Sequence, residues 1–572
     1  MKTSQFLLAL TPLSLLVSAA GTQAQTAVGL DAGALRQQID QQREVRIPQA
    51  LPAKRVAPPP EIKPQAGVSI KIKSIRFEGN TLLKSEQLAP TVADFIGREV
   101  GFDGLQRATD AVAAAYRQAG WIVRVYLPEQ DVSEGVITMQ VLEARYAGLK
   151  FEGEPSKRVM RSEIESYFQV RQQKGAPMSA DAMDRALLLS DDLPGISVAG
   201  TLAPGESDGE TALVIQTTDE PLVYGDVGMD NTGARSTGSK RLQVNMSVNS
   251  PGQRGELIGV NFLHTEGSDY GRVSLTVPNG HDGWRAGLSM SSMNYKVVGG
   301  SADTLALQIK GRSTSLGIDL NYPIVRERMG NLYGSINLEN KAFSSEDTNK
   351  QLTDSASYSD YGTNSLRFGL SGNRFDDLGG GGSNSASTQL TFGRMTSVIA
   401  HRQLDTLDRT YHKLNYSFSR QQTLVANHSL YVNLSGQHAT QVLDSSEKFY
   451  IGGAQSVRAY PVSELGGERG QVLSAEWRWR LDSAWVVTAF SDMGRVVSLP
   501  ATSSDQQTAL KLRGHGLSAS WQGPMGLVTK VTWSRRSGQN PKPMNFKETE
   551  DDSEHNDIPP AVTSHIAIPS NR

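Results

Sequence analysis

About four-fifths of the way along the chain, the stretch "GGAQSVRAYP" (452–461) holds the side chain best equipped for directed chemistry, Arg458. A guanidinium presents a planar fork of donors that grips a carboxylate through two parallel bonds, which a flexible Lys does not reproduce. Val457 and Ala459 flank it, and Tyr460 and Pro461 follow. On the loop alone, a solvated charge and a buried, paired cation both remain open. Downstream, "FSDMG" (490–494) sets Asp492 between Phe490 and Gly494. Catalytic groupings are missing: there is no Walker-type phosphate loop, no HExxH, no Cys, and the nine His are scattered. The sequence therefore offers no catalytic residue, no metal site and no cofactor site, and an enzyme has little support.

Composition and address limit the setting of that arginine. A net charge of -2 gives no reason to expect a polyanionic partner such as nucleic acid. Absence of Cys fits an envelope protein, although many cytosolic chains share it. Lys2, the apolar "FLLALTPLSLLVSAAG" (6–21) and a small residue at Ala24 read as a secretory signal peptide over 1–24. No later run approaches the ~20 apolar residues that a membrane helix needs. If the mature chain spans a membrane, it must do so as a closed β-barrel.

Three further regions precede the strands. "LDAGALRQQIDQQREV" (30–45), within 25–46, predicts a polar-faced helix with Asp31 as N-cap. Prolines across 47–66 predict an extended linker. Over 67–220 a weak repeat of about 74 residues appears, the kind of periodicity that marks repeated structural units. "IRFEGN" (75–80) returns as "LKFEGE" (149–154), and Ile122, Gly135, Met139 and Val141 match Ile196, Gly209, Leu213 and Ile215. Each copy reads strand, helix, helix, strand, strand, with helices near 84–95 and 103–118, then 160–169 and 179–191.

Beyond about residue 221 the periodicity becomes two. "LQVNMSVN" (242–249), "LRFGL" (366–370), "LYVNL" (430–434) and "LSAEWRWRL" (473–481) alternate apolar and polar residues between Gly, Asn, Ser and Asp turns. About fifteen or sixteen such segments are legible, the size range of bacterial outer-membrane barrels. A soluble sandwich or solenoid also alternates. The signal peptide, the number of successive hairpins and the polar opposite face favour the barrel.

These residues carry a resemblance. "YRQAGWIVRVYLPEQDVSEGVITMQVLE" (116–143) resembles the first POTRA domain of two-partner secretion transporters of the haemolysin-activator type (TpsB). "DNTGARSTG" (230–238) resembles the opening of their barrel, "GGAQSVRAYP" their sixth-loop V-R-G-Y motif, and "FSDMG" the accompanying F-x-D-x-G strand motif. The resemblance implies an outer-membrane antiparallel barrel of 16 strands (221–572). It also implies two periplasmic α+β POTRA domains (67–145 and 146–220), an N-terminal plug helix and a long sixth extracellular loop (438–470). It implies that Arg458, with Val457, Ala459, Tyr460 and Pro461 around it, meets Asp492 on a wall shaped by Phe490 and Gly494. It implies export of an unfolded exoprotein with a TPS-type N-terminal domain, haemagglutinin- or haemolysin-like. Lipid, lipopolysaccharide and the barrel assembly machinery are its other implied partners. Exposed POTRA strands are candidate edges for an extended chain: Ile122, Val123, Arg124, Val125, Tyr126 and Leu127, then Ile196, Ser197, Val198, Thr201 and Leu202.

Two departures stand out. The motif's Gly is here Ala459, which would be strained at positive φ. The chain ends in an acidic stretch (547–557) and "AVTSHIAIPSNR" rather than a strand closing on an aromatic residue. Of this stretch, "VTSHIAI" (562–568) is the one candidate last strand. Other readings of the same pattern are an assembly factor that inserts barrels and a plain porin or adhesin.

Overall fold

The computed structural model describes residues 32–42, 69–207, 209–300, 305–349, 357–399, 409–500, 507–538, 541 and 560–568. The signal peptide, the Pro-rich linker and the acidic stretch 547–557 lie outside them.

The first α+β unit runs strand Ser74–Glu78, helices Ser85–Val92 and Phe102–Gln118, then strands Val123–Tyr126 and Val136–Glu143. Its last strand lies centrally, parallel to the first and antiparallel to Val123–Tyr126. Leu105, Ala108, Val112 and Tyr116 fall three or four residues apart, so one helix face is apolar; Ala108, Val112 and Tyr116 bury against Met139 and Val141, and Leu105 against Ile72 and Ile137. The second unit repeats the order: Arg145–Glu152, Arg161–Gln169, Ala180–Asp191, Ile196–Pro204 and Glu210–Asp219. Leu213 and Ile215, the repeat partners of Met139 and Val141, are buried in the same way. A carboxylate at the end of each last strand also recurs. Glu143 accepts from the backbone of Thr81 and Leu82 at 2.7 Å, and Asp219 from Lys157 N at 2.9 Å. Burial pushes the Glu143 carboxyl up, but the Leu82, Thr81 and Tyr116 donors outweigh this and hold it below the usual carboxylate range. The two units are fused through main-chain bonds: Ile122 N to Met178 O, Met178 N to Ala144 O and Ala144 N to Ile122 O.

Sixteen antiparallel strands then close a barrel in chain order, with His428–Ala439 paired to Arg469–Arg480 across the sixth outer loop and the first strand, Val223–Asp230, paired to the last, Ala561–Ile568. Side chains alternate as lipid and a wet lumen require. Along Arg285–Lys296, Leu288 and Met290 are exposed outward while Ser289 and Ser291 are buried. Aromatics gather near the periplasmic ends, with Trp284 stacked on Tyr322, His428 on Trp477 and Trp479, and Trp485 tilted against Trp521. Amphipathic rings at headgroup level are the usual anchor of such barrels. The weak C-terminal segment forms a strand, Ala561–Ile568, paired with Leu527–Arg536 on one side and Val223–Asp230 on the other. Val562 and Ile566 lie exposed on one face, as the alternation predicts. Closure rests on the main-chain pairing of this strand with both neighbours.

The second α+β unit is riveted to the barrel rim. Arg326 grips Asp192 through two bonds of 2.7 Å, and Arg328 meets Asp184 at 2.8 Å. Each is a charge-assisted pair at a short distance. These pairs set the unit beside the lumen entrance.

Candidate functional site

The lumen is occupied from two directions. From one side comes the helix Ala32–Gln42. Ala32, Leu35 and Arg36 are buried against a luminal apolar patch that includes Tyr270, Met293, Tyr295 and Phe343. Arg36 bonds the Ser291 and Ser315 hydroxyls and Asp40 of its own helix, with its guanidinium 5.1 Å from the Tyr270 ring centre. The approach is close: a Cβ on Gly33 would lie 2.2 Å from the Tyr361 hydroxyl and 2.7 Å from Ser445 Oγ.

From the other side comes the loop between strands His428–Ala439 and Arg469–Arg480, residues 440–468, close to the 438–470 expected. Its stem is a short ribbon, Phe449–Ile451 paired with Leu465–Gly467. Asp40 of the helix pairs with Lys341 at 3.2 Å, and Lys341 lies 3.8 Å from Glu447 of the loop, which Lys413 meets at 2.7 Å. Helix and loop thus share one buried ion network on the barrel wall.

At the loop tip stands Arg458. Its Nε and Nη2 lie 2.8 and 2.7 Å from the two Asp492 oxygens, a bidentate grip. Nη1 donates to Glu476 at 2.7 Å and Nη2 to Ser474 at 2.9 Å. Its guanidinium carbon lies 3.5 Å from the Phe490 ring centre. Burial works against the Arg458 charge, but the bonds to Asp492 and the attraction of Glu476 prevail and hold its pKa above the ordinary guanidinium value. Main-chain ties complete the seat: Arg458 N donates to Asp492 at 3.1 Å, Ser534 Oγ to Arg458 O at 3.0 Å, and Arg536 Nε to Ala459 O at 3.3 Å.

Neighbours of Arg458 explain the motif's other letters. Val457, Ala459 and Tyr460 are buried in an apolar cluster with Ile451, Val496 and Leu512, and Arg536 lies 5.2 Å from the Tyr460 ring centre. Pro461 follows directly, where the ribbon turns back. Gly494 is small because Val457 fills its place: a Cβ there would lie 2.9 Å from the Val457 side chain. Ala459 does not occur among the described non-glycine residues with positive φ, so its dihedrals are ordinary. Its methyl is accommodated across the wall instead. A Cβ on Gly514 would lie 2.4 Å from Ala459 Cβ, so the missing side chain at Gly514 makes room for the extra one at Ala459.

Two wall residues escaped the sequence reading, Glu476 and Ser474. In "LSAEWRWRL" they share the face opposite Leu473 and Trp477, so an inward acid was readable from the alternation. Its partner was not, because the contact spans a loop. Lys341, Glu339, Arg367, Lys413 and Glu447 were missed in the same way.

The candidate POTRA edges divide. Val123–Tyr126 is an outer strand of its sheet, holding Val123, Arg124, Val125 and Tyr126, and Leu127 lies just beyond it. Ile122 departs from the expectation of a free edge, since its main chain is spent on Met178 and Ala144. Ile196–Pro204 is likewise an outer strand, but Ile196 and Val198 bury their side chains in the domain core. Ser197, Thr201 and Leu202 are exposed, Leu202 at 51%.

A helix in the seat would be expelled by bulk. Gly33→Leu is expected to unseat it and raise ion conductance of the barrel in planar bilayers several-fold over the parent. Unchanged conductance would mean that the helix does not limit the pore.

Comparison with known proteins gives the same architecture. Over 490 residues the chain is 22% identical to the heme/hemopexin transporter protein HuxB of Haemophilus influenzae, covering 81% of this chain and 83% of that protein. It is 21% identical over 486 residues to the outer membrane transporter CdiB of Dickeya dadantii, covering 82% and 81%. The solved structure of CdiB from Escherichia coli superposes with a TM-score of 0.69 at 20% identity, covering 96% of this chain and all of that one, a likeness of fold. Residues 70–144 match the ShlB-type POTRA domain. Residues 209–521, more than half of the chain, match the haemolysin secretion/activation protein family ShlB/FhaC/HecB, and the chain belongs to that family of outer-membrane transporters.

Proposed function

We propose that this chain is the outer-membrane translocator of a two-partner secretion system. It takes a large exoprotein from the periplasm through its two POTRA units and passes it outward, unfolded, through the barrel. The observation that carries the reading is the pairing of two POTRA units, riveted at the lumen entrance, with a lumen that among the described residues is filled by a helix and a tethered loop. The outer POTRA strands offer main-chain edges that an extended chain can join. Tyr126 and Leu202 stand exposed beside them. The Arg458–Asp492 lock holds the loop against the wall while the chain passes. No nucleotide is needed at the site, since folding outside biases the movement. Lipid and lipopolysaccharide surround the barrel, and the barrel assembly machinery inserts it.

The assembly-factor reading shares the barrel. It is less favoured because the relatives carry transporter names and the periplasmic part here has two POTRA units. The test is secretion of the exoprotein encoded beside this chain, with and without the transporter in the outer membrane. Medium-borne exoprotein that depends on the transporter supports the reading. A general loss of other outer-membrane barrels on deletion, with secretion intact, would replace it with the assembly factor.

A further inference from the structure

The outer wall of the barrel is not smooth. On its lipid-facing side, in the periplasmic half, a hollow of about 440 Å³ opens among Leu320, Ile324, Gly334, Phe368, Leu370 and Leu390. A second, of about 550 Å³, continues toward the rim and shares Leu370 and Thr388 with the first. Both exist because outward positions that are large elsewhere are small here. Gly334, Gly372, Ala386 and Thr388 stand in line with exposed Ile336, Phe368, Leu370 and Leu390 on the same strands. Within a membrane such a trough is filled by something apolar.

The rim end of the trough carries charge. Arg374 lines it, on the same outward face as Phe368, Leu370 and Gly372, and is exposed. Among the described residues its guanidinium has no hydrogen bond or ion pair, unlike nearby Arg420, which is held by Asp376 at 2.7 and 3.0 Å. Glu327 lines the same hollow, exposed, and its carboxylate has no partner among the described residues. On the other flank stand the Trp284–Tyr322 stack and the second POTRA unit, whose Arg185 side chain reaches Pro323 O. An apolar trough leading up to one unpaired cation and one unpaired anion at headgroup level is a mould for a zwitterionic lipid.

We propose that this trough is a specific site for a glycerophospholipid with a phosphoethanolamine headgroup. The acyl chain lies along Gly334, Phe368 and Leu370, the phosphate faces Arg374 and the ammonium faces Glu327. The site belongs to the periplasmic leaflet, which excludes lipopolysaccharide of the outer leaflet. It adjoins the rivets that hold the second POTRA unit, so the lipid braces that junction. This assignment is independent of which exoprotein is carried.

Native mass spectrometry of the full chain, released from nanodiscs of equal phosphatidylethanolamine and phosphatidylglycerol, tests it. The parent is expected to retain one phosphatidylethanolamine in preference to phosphatidylglycerol. Gly334→Leu, which fills the trough, and Arg374→Glu, which repels the phosphate, are each expected to lower that retention about tenfold. Val273→Leu, lipid-facing but elsewhere on the wall, is expected to leave it unchanged. All four are first verified as folded by heat-modifiable migration. Equal retention in parent and trough variants would reduce the lipid to the ordinary annulus and overturn the site. A preference for phosphatidylglycerol would overturn the role of Glu327. A dimer that Gly334→Leu disperses would assign the trough to a second copy of the chain.

Discussion

Arg458→Ala abolishes secretion of the exoprotein while leaving a heat-modifiable barrel in the outer membrane; this is the expected result. Substitution strands two acids, Asp492 and Glu476, that are now satisfied by one guanidinium at 2.7 Å each. Breaking a buried pair by removing one partner costs about 3–5 kcal/mol, because the remaining charge stays uncompensated. That is ample to release a loop tip, yet small beside the pairing of sixteen strands, so the barrel persists while the loop does not. Arg458→Lys is expected to fail nearly as badly. One ammonium cannot serve both Asp492 oxygens, Glu476 and Ser474 together, nor lie flat against Phe490. Asp492→Ala removes the bidentate grip but leaves Arg458 its bond to Glu476, so it should impair secretion no more than Arg458→Ala, and the double variant should be no worse than Arg458→Ala, since that change already removes the shared contact. Normal secretion by Arg458→Ala would reduce the lock to a structural ornament of the wall.

How much of this was legible beforehand follows from how local each feature is. Alternation along Arg241–Asn249 or Arg469–Arg480 is a property of neighbours in sequence, so strands and their lipid face were readable. The repeat over the two POTRA units was readable for the same reason: Met139 with Val141 and Leu213 with Ile215 occupy equal places in equal strands. The Arg458–Asp492 contact was available only through a family resemblance, because nothing in a run of loop residues says which wall strand it touches. Glu476, Glu447 and Lys341 carried no such label and went unread. The Ala459 departure shows the limit most clearly. In sequence it is a lost glycine, with strain as the natural inference. In space it is an exchange, a methyl gained at 459 against a side chain lacking at Gly514, some fifty residues away and on the opposite side of the contact.

The largest effect is expected at the least promising stretch of sequence. Truncation after Arg536 removes the strand Ala561–Ile568, which pairs through Ala561–Ile566 with Leu527–Arg536 and through Thr563–Ile568 with Val223–Asp230. Without it both of those strands become open edges within the membrane. No water reaches hydrocarbon to satisfy their N–H and C=O groups, and each unsatisfied group costs several kcal/mol. Losses of that size over two edges exceed the net stability of an ordinary domain, about 5–15 kcal/mol. No heat-modifiable barrel should then reach the outer membrane, as read by gel mobility and surface proteolysis. Ile566→Asp, a charge on the outward face, is the finer probe: it leaves the main-chain pairing possible but sets a carboxylate against lipid, at a cost that grows with depth. A truncated chain that still assembles would mean that fifteen strands suffice, with Val223–Asp230 meeting Leu527–Arg536 directly. These two strands run in the same direction as counted around the barrel, so such a seam would have to be parallel. The even strand number and the final antiparallel strand are therefore a single requirement, and the short unaromatic segment at 561–568 meets it.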